Sequence, residues 1–179
     1  MRITTRQVTY LGLLIGLAII LTRLASIRIA FGGVEGIRLG FGALPIIMAG
    51  VYFGPLNGAL VGALADVVGY FINPMGAYMP HFTLTSALTG AIPGLVVFWS
   101  GREKQPSLGL LLAFIALGQL VTSIILVPYF LWTLFGIPLQ ATLPPRIVAQ
   151  FIQVPTYAVF LHILLRRLRP VELGEVHKA

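Results

Sequence analysis

The sequence predicts an all-α integral membrane protein, a six-transmembrane-helix bundle with both termini cytoplasmic. Three observations predict it. Of 179 residues, 58% are hydrophobic and 9% are charged, against roughly 25% charged in an average soluble domain. The apolar residues fall in long runs broken by Gly, Pro and charge, without the strict alternation of a transmembrane β-barrel. The basic residues are divided unevenly between the two ends of those runs. Mean hydropathy is +0.95, and a soluble domain with so few polar groups would be unable to cover its surface. A soluble enzyme is excluded on that ground. So is a disordered or nucleic-acid-binding chain, despite an isoelectric point near 10.4. A span takes about 20 residues, so six take about 120 and leave about 60 for ends and loops. One membrane-embedded domain over residues 1–179 is expected. The absence of cysteine removes disulfides and thiol chemistry. No cleavable signal peptide is expected, because the run after the basic Met1 to Arg6 is too long for one.

Span one is about Val8 to Leu24, followed by a Gly-rich, charged loop from Ala25 to about Leu39. Span two is short, about Gly40 to Phe53, and Gly54-Pro55 turns the chain into span three, about Leu56 to Ile72. Asn73-Pro74-Met75-Gly76 breaks the chain before span four, about Phe82 to Ser100. The polar loop Gly101 to Ser107 leads to span five, about Leu108 to Trp132. Gly136 to Pro145, with Pro138, Pro144 and Pro145, reads as a third break. Span six is about Arg146 to Leu165 and ends in Arg166-Arg167-Leu168-Arg169. No internal repeat is evident, which argues against an inverted-repeat carrier.

Six spans place both termini on one side. Arg2, Arg6, Arg102, Lys104, Arg166, Arg167, Arg169 and Lys178 fall there, eight of the twelve Lys and Arg residues. By the positive-inside rule that side is cytoplasmic. Arg23, Arg28, Arg38 and Arg146 fall on the other face or just inside its rim, against the rule. Glu35 is the acidic counterweight in the outer loops, so that face is net +3. Guanidinium forks match carboxylates and phosphates. One reading is therefore a site for an anion from outside. The other is snorkelling to lipid headgroups, with Arg38 paired to Glu35.

Other residues could carry chemistry. Arg146, Gln150, Gln153 and Tyr157 stand at i, i+4, i+7 and i+11, one helical face that should avoid lipid. Gln119, Thr122 and Ser123 make a shorter stripe on span five. Such stripes either contact a ligand, the favoured reading for Arg146 and Gln150, or bond helix to helix. Asp66 is the one acid inside a predicted span. It reads as a ligand or proton group, or as a structural partner for an arginine or for backbone near Asn73. Ten aromatics cluster at the outer breaks: Phe31, Phe41, Tyr70, Phe71, Tyr78, Phe82, Tyr129, Phe130, Trp132 and Phe135, with His81 among them. They form an interfacial belt, or they suit a flat aromatic ligand with an acidic tail. Small residues recur four apart at Gly12 and Gly16, at Gly58 and Gly62, and at Ser86, Gly90 and Gly94. This spacing packs helices closely, and on span one it could instead dock a partner helix. There is no G-x-x-x-x-G-K-[ST], H-E-x-x-H or G-x-S-x-G, and His81, His162 and His177 form no cluster. Neither ATP hydrolysis by this chain, an intramembrane enzyme, nor a metal or cofactor site is expected.

Several segments resemble a known family. They are Phe31-Gly-Gly-Val-Glu-Gly-Ile-Arg-Leu-Gly-Phe-Gly42, Phe53-Gly-Pro-Leu-Asn-Gly58, Asn73-Pro-Met-Gly-Ala-Tyr78, Phe82-Thr-Leu-Thr-Ser86 and Pro144-Pro-Arg146. Together they look like the S components of energy-coupling factor (ECF) vitamin transporters, most of all the folate group (FolT). His81 stands where that resemblance leads one to expect glycine. The resemblance implies a vitamin-binding subunit in the cell (cytoplasmic) membrane. It implies a T component and two ABC-type ATPase subunits as partners, and docking through small residues on span one, where Gly12 and Gly16 match. Folate is then the expected ligand. Arg28, Arg38 or Arg146 would clamp its glutamate, with Arg23 and Glu35 nearby. Tyr78, Phe82 or Trp132 would stack on its rings, beside His81. Gln150, Asn73 or Asp66 would read the pterin edge. The alternatives are an S component for another anionic vitamin such as pantothenate, or a stand-alone proton-coupled carrier using Asp66.

Overall fold

A computed structural model describes residues 5–23, 27–31, 34–74, 78–100 and 106–167, with backbone alone for 27–31, 34–39, 98 and 100. The helices are α1 Thr5–Arg23, α2 Ala43–Phe53, α3 Pro55–Ile72, α4 Pro80–Gly94, α5 Val96–Ser100, α6 Leu108–Gln119, α7 Val127–Phe135 and α8 Leu139–Arg167. A π-helical stretch, Leu120–Leu126, joins α6 to α7 without a break. Four segments are long and apolar enough to cross a membrane: Thr5–Arg23, Pro55–Ile72, Leu108–Phe135 and Leu139–Arg167. Large apolar side chains face outward, such as Phe151 and Trp99, each 78% exposed. That surface belongs in hydrocarbon, not in water.

The bundle differs from the sequence expectation in four places. The segment expected to be a loop before span two forms an antiparallel hairpin, β1 Ile27–Phe31 and β2 Val34–Leu39. Its residues support this: Ile27, Ile29 and Phe31 alternate with Arg28 and Ala30, and Gly32-Gly33 is a two-residue turn sequence. The register pairs Arg28 with Arg38 and Ile29 with Ile37, then slips before Ala30 pairs with Glu35. Span four is interrupted at Leu95, after Pro93 and Gly94, so that α4 and α5 are separate. Pro93 lacks the amide that an uninterrupted ladder needs. Span five carries the π-helical stretch, with Val127 between it and Pro128, and the Val127 amide bonds Thr122 O. Span six begins at Leu139, not Arg146. Gly136 at φ 66° ends α7, and only Gly136 to Pro138 separate it from α8. Pro144 and Pro145 lie inside α8. A proline has the helical φ already, and interior prolines are tolerated where neighbouring helices and hydroxyls satisfy the freed groups.

Packing divides the bundle into two halves that share α2. In the first half α2, α3 and α4 touch backbone to backbone. A Cβ on Gly58 would fall 2.6 Å from Gly50 Cα, and one on Gly94 would fall 2.8 Å from Pro55 Cα. Gly62 lies against Ser86 O, and Gly90 against Gly58 O. The tight start of α3 uses Gly54 at φ 90° and Pro55 in the first turn. Asn57 Nδ2 donates to Phe53 O at 2.7 Å across that turn. Helix α1 closes this half through Leu11, Leu14 and Ala18, packed with Ile46, Val61 and Ala65. In the second half side chains interlock: Ile47 and Val51 of α2 with Val96, Leu111, Ile115, Ala158 and Leu161. The two parts of the small-residue pattern therefore differ. The glycines of α2, α3 and α4 are packing contacts, whereas a Cβ on Gly12 or Gly16 of α1 would meet nothing within 4 Å.

Gly62→Leu should lower the melting temperature of the detergent-solubilised protein by an amount reflecting at least the 1–3 kcal/mol or so typical of overpacking. Gly109→Ala, into open space on α6, should leave it unchanged or slightly raised. Equal effects of the two would show that the glycine seam is not under steric constraint.

Candidate functional site

The two halves diverge at the hairpin end of the bundle, and a partly open cavity of about 290 Å³ lies between them. One wall is built by α3 and α4 and contributes Asp66, Tyr70, Phe82, Thr85, Ser86 and Thr89, with Tyr78 and Met79 from the segment before α4. Facing it, α8 contributes Arg146, Gln150, Gln153 and Tyr157, the whole of the stripe predicted from helical periodicity. The α6–π–α7 segment adds Gln119, Thr122, Ser123, Val127 and Phe135. Thr22 and Arg23 end α1 at the rim, and Gly40, Gly42 and Ala43 bring in the base of the hairpin. Two arginines and one aspartate thus line a space in an apolar bundle. Ionisable groups at such depth mark a substrate path more often than a structural need.

Local bonding sets how these groups stand. Thr83 Oγ1 donates to Asp66 Oδ2 at 2.7 Å and lies 2.9 Å from Tyr78 Oη. The Tyr78 ring lies 5.2 Å from that of Tyr70. Arg23 Nη1 donates to Asn73 O at 3.2 Å, and Gly69 leaves room for the guanidinium, since a Cβ there would fall 3.0 Å from Arg23 Nε. Ser123 Oγ donates to Gln119 Oε1 at 2.9 Å, and Thr122 Oγ1 to Gly118 O at 2.8 Å. Gln150 Oε1 is buried and accepts no hydrogen bond among the described residues. A buried acceptor left in that state costs about 1–3 kcal/mol, which a donor entering the cavity would recover. Tyr157, 1% exposed, donates to Gly40 O at 2.6 Å and ties the hairpin base to α8.

The predicted site residues separate into three groups. Arg23, Asp66, Tyr78, Phe82, Arg146 and Gln150 line the cavity. Asn73, His81 and Trp132 do not. Asn73 sits at the end of α3 and is tied in through its carbonyl, the His81 ring lies tilted against Phe130 with centroids 4.9 Å apart, and Trp132 is 52% exposed on α7. The side chains of Arg28, Glu35 and Arg38 lie outside the described residues, as do Arg2, Arg102, Lys104, Arg169 and Lys178. The sequence reading missed Thr22, Thr85 and Thr89 in the lining and Thr83 behind it. A hydroxyl in an apolar run carries no periodic signal of its own, since each of these helices also uses threonine to bond its own backbone, as Thr89 does to Thr85 O.

Comparison with known proteins agrees with this architecture. The family model for the S component of ECF-type riboflavin transporters matches residues 2–170. The folate transporter FolT of Clostridium novyi (strain NT) is 34% identical over 153 residues, covering 86% of this chain and 84% of that protein. The chain belongs to the S components of ECF transporters. It is a transporter subunit of a multi-pass membrane family and not an enzyme. FolT of Leuconostoc mesenteroides is 26% identical over 170 residues, covering 92% and 86% of the two chains. A crystal structure of FolT bound with folic acid superposes with a TM-score of 0.78 at 26% identity, covering 93% of this chain and 96% of that one. The S component of a bacterial ECF transporter shares the fold, with a TM-score of 0.63 at 23% identity over 91% and 95%.

In this S component, Tyr157→Phe should cost about 1 kcal/mol through loss of the bond to Gly40 O. That corresponds to a melting temperature lower by about 2–4 °C in a chain of this size. An unchanged melting temperature would mean that the hairpin base does not depend on this bond.

Proposed function

We propose that this S component captures folate at the outer face of the cell membrane and delivers it inward with a T component and two ABC-type ATPases. The observation that carries the reading is the composition of the cavity. Arg23 and Arg146 suit the two carboxylates of the glutamate tail, while Phe82, Tyr70 and Tyr78 suit flat rings. Asp66, Gln119, Gln150 and Gln153 offer the donors and acceptors that a pterin edge requires. Arg28 and Arg38 occupy opposing positions of the hairpin register, and on this reading they would add to the anion clamp together with Glu35. The reading includes six spans in one domain, with α2, extended by the hairpin base, and α4–α5 as the two shorter ones. It places both termini in the cytoplasm, as the basic residues of the terminal side favour. The folate relatives support it.

The matching family model carries riboflavin in its description. Riboflavin has rings to stack but offers no carboxylate to the two cavity arginines. Pantothenate has the carboxylate but no ring. Calorimetry of the purified protein with folic acid, riboflavin and pantothenate should show tight binding of folic acid alone. Arg146→Ala and Arg38→Ala should each weaken folic acid by on the order of 2–5 kcal/mol, much of it from unpaired ligand charge. Unchanged affinity in both would remove the anion-clamp assignment.

Docking is the second half of the proposal. Gly12 and Gly16 stand in open space on the exposed face of α1, flanked by Leu13 and Leu17. Small residues let two helices approach closely. Gly12→Trp should leave folic acid affinity intact and abolish ATP-driven uptake by the assembled transporter. Uptake that survives the substitution would place the T component elsewhere. The chain without ATPase partners should show no proton-driven uptake, and uptake abolished by Asp66→Asn would favour a stand-alone carrier.

A further inference from the structure

Asp66 is a carboxylate in a membrane-embedded cavity, and among the described residues its hydrogen-bond donor is Thr83. Thr83 stands on α4, is half-buried, and does not itself line the cavity. A threonine hydroxyl has one proton. With that proton given to Asp66 Oδ2 at 2.7 Å, the contact of 2.9 Å to Tyr78 Oη must run the other way, Tyr78 donating to Thr83. The three groups therefore form a directed chain from Tyr78 through Thr83 to Asp66, spanning the segment before α4, α4 itself and α3.

We propose that Thr83 is a positioning residue for ligand recognition, holding the Asp66 carboxylate so that its remaining lone pairs meet a pair of N–H donors on the ligand. The inference rests on the folate reading and refines it. Of the four or so lone-pair sites on a carboxylate, Thr83 occupies one. Its direction fixes the rotation of the carboxylate plane. The ligand chemistry that matches is a planar amidine-like edge, such as the 2-amino group and adjacent ring N–H of a pterin. A charge-assisted pair of this kind is strong only when aligned. Tyr78, as donor to Thr83, holds the hydroxyl in the orientation that serves Asp66.

The test uses the full-length purified protein with two probes, folic acid and its 2-desamino-2-methyl analogue, which lacks the amino donor. Thr83→Val should weaken folic acid by about tenfold, the loss of one aligned bond to a charged group. Thr83→Ser should restore affinity to within a few-fold. The analogue should bind the unaltered protein about tenfold more weakly than folic acid and be indifferent to Thr83→Val. Thr83→Ala replaces the valine variant if that does not fold. Native affinity of Thr83→Val for folic acid, or an equal loss for both probes, overturns the positioning role. An unaltered protein that takes both probes equally overturns the Asp66 assignment and leaves the folate reading standing. One that binds neither overturns both.

Discussion

Contact between the backbones of α2, α3 and α4 is the constraint on which the rest of the structure depends. Lipid supplies no hydrophobic drive to bring helices together, so close van der Waals approach has to. Gly50, Gly58, Gly62, Gly90 and Gly94 remove the side chains that would keep these helices apart. The seam leaves Asp66 and Thr83 within one hydrogen bond of each other on neighbouring helices. The other half packs by interlocked side chains around Ile47, Leu111 and Tyr157. Two halves built on different packing rules diverge at one end, and the polar residues gather where they part.

Much of this was legible because a membrane makes amphipathicity expensive to hide. An arginine, two amides and a tyrosine at i, i+4, i+7 and i+11 on α8 had to turn from lipid, and all four stripe residues line the cavity. The same logic did not reach the aromatics. Trp132 and His81 are as compatible with a belt as with a cavity, and sequence alone does not tell which face of α7 or α4 they take. The hairpin was hidden by its charges and glycines, although Ile27, Ile29 and Phe31 alternate as a strand should. Pro144 and Pro145 suggested a break that α8 runs through, because proline is punctuation only where nothing else holds the helix.

The scaffold and the ligand are specified by different residues. A fold shared at a TM-score of 0.63 with 23% identity shows how little side-chain agreement the bundle requires. The cavity draws instead on scattered polar side chains from every long segment, so its chemistry can change without disturbing the bundle. A family description that says riboflavin and relatives that say folate are compatible on those terms.

The π-helical stretch at Leu120–Leu126 has a geometric consequence for the segment that follows it. Wider winding inserts extra chain without lengthening the helix proportionately. Each residue of an α-helix turns the chain by about 100°. Winding the same residues as a regular α-helix would therefore swing Val127 through Phe135 around the axis like the far end of a twisted rod. Phe135 would leave the lining and an outward-facing neighbour would replace it. The irregularity thus serves as an angular offset, letting a single continuous segment present Gln119 and Phe135 to the same space from sixteen positions apart.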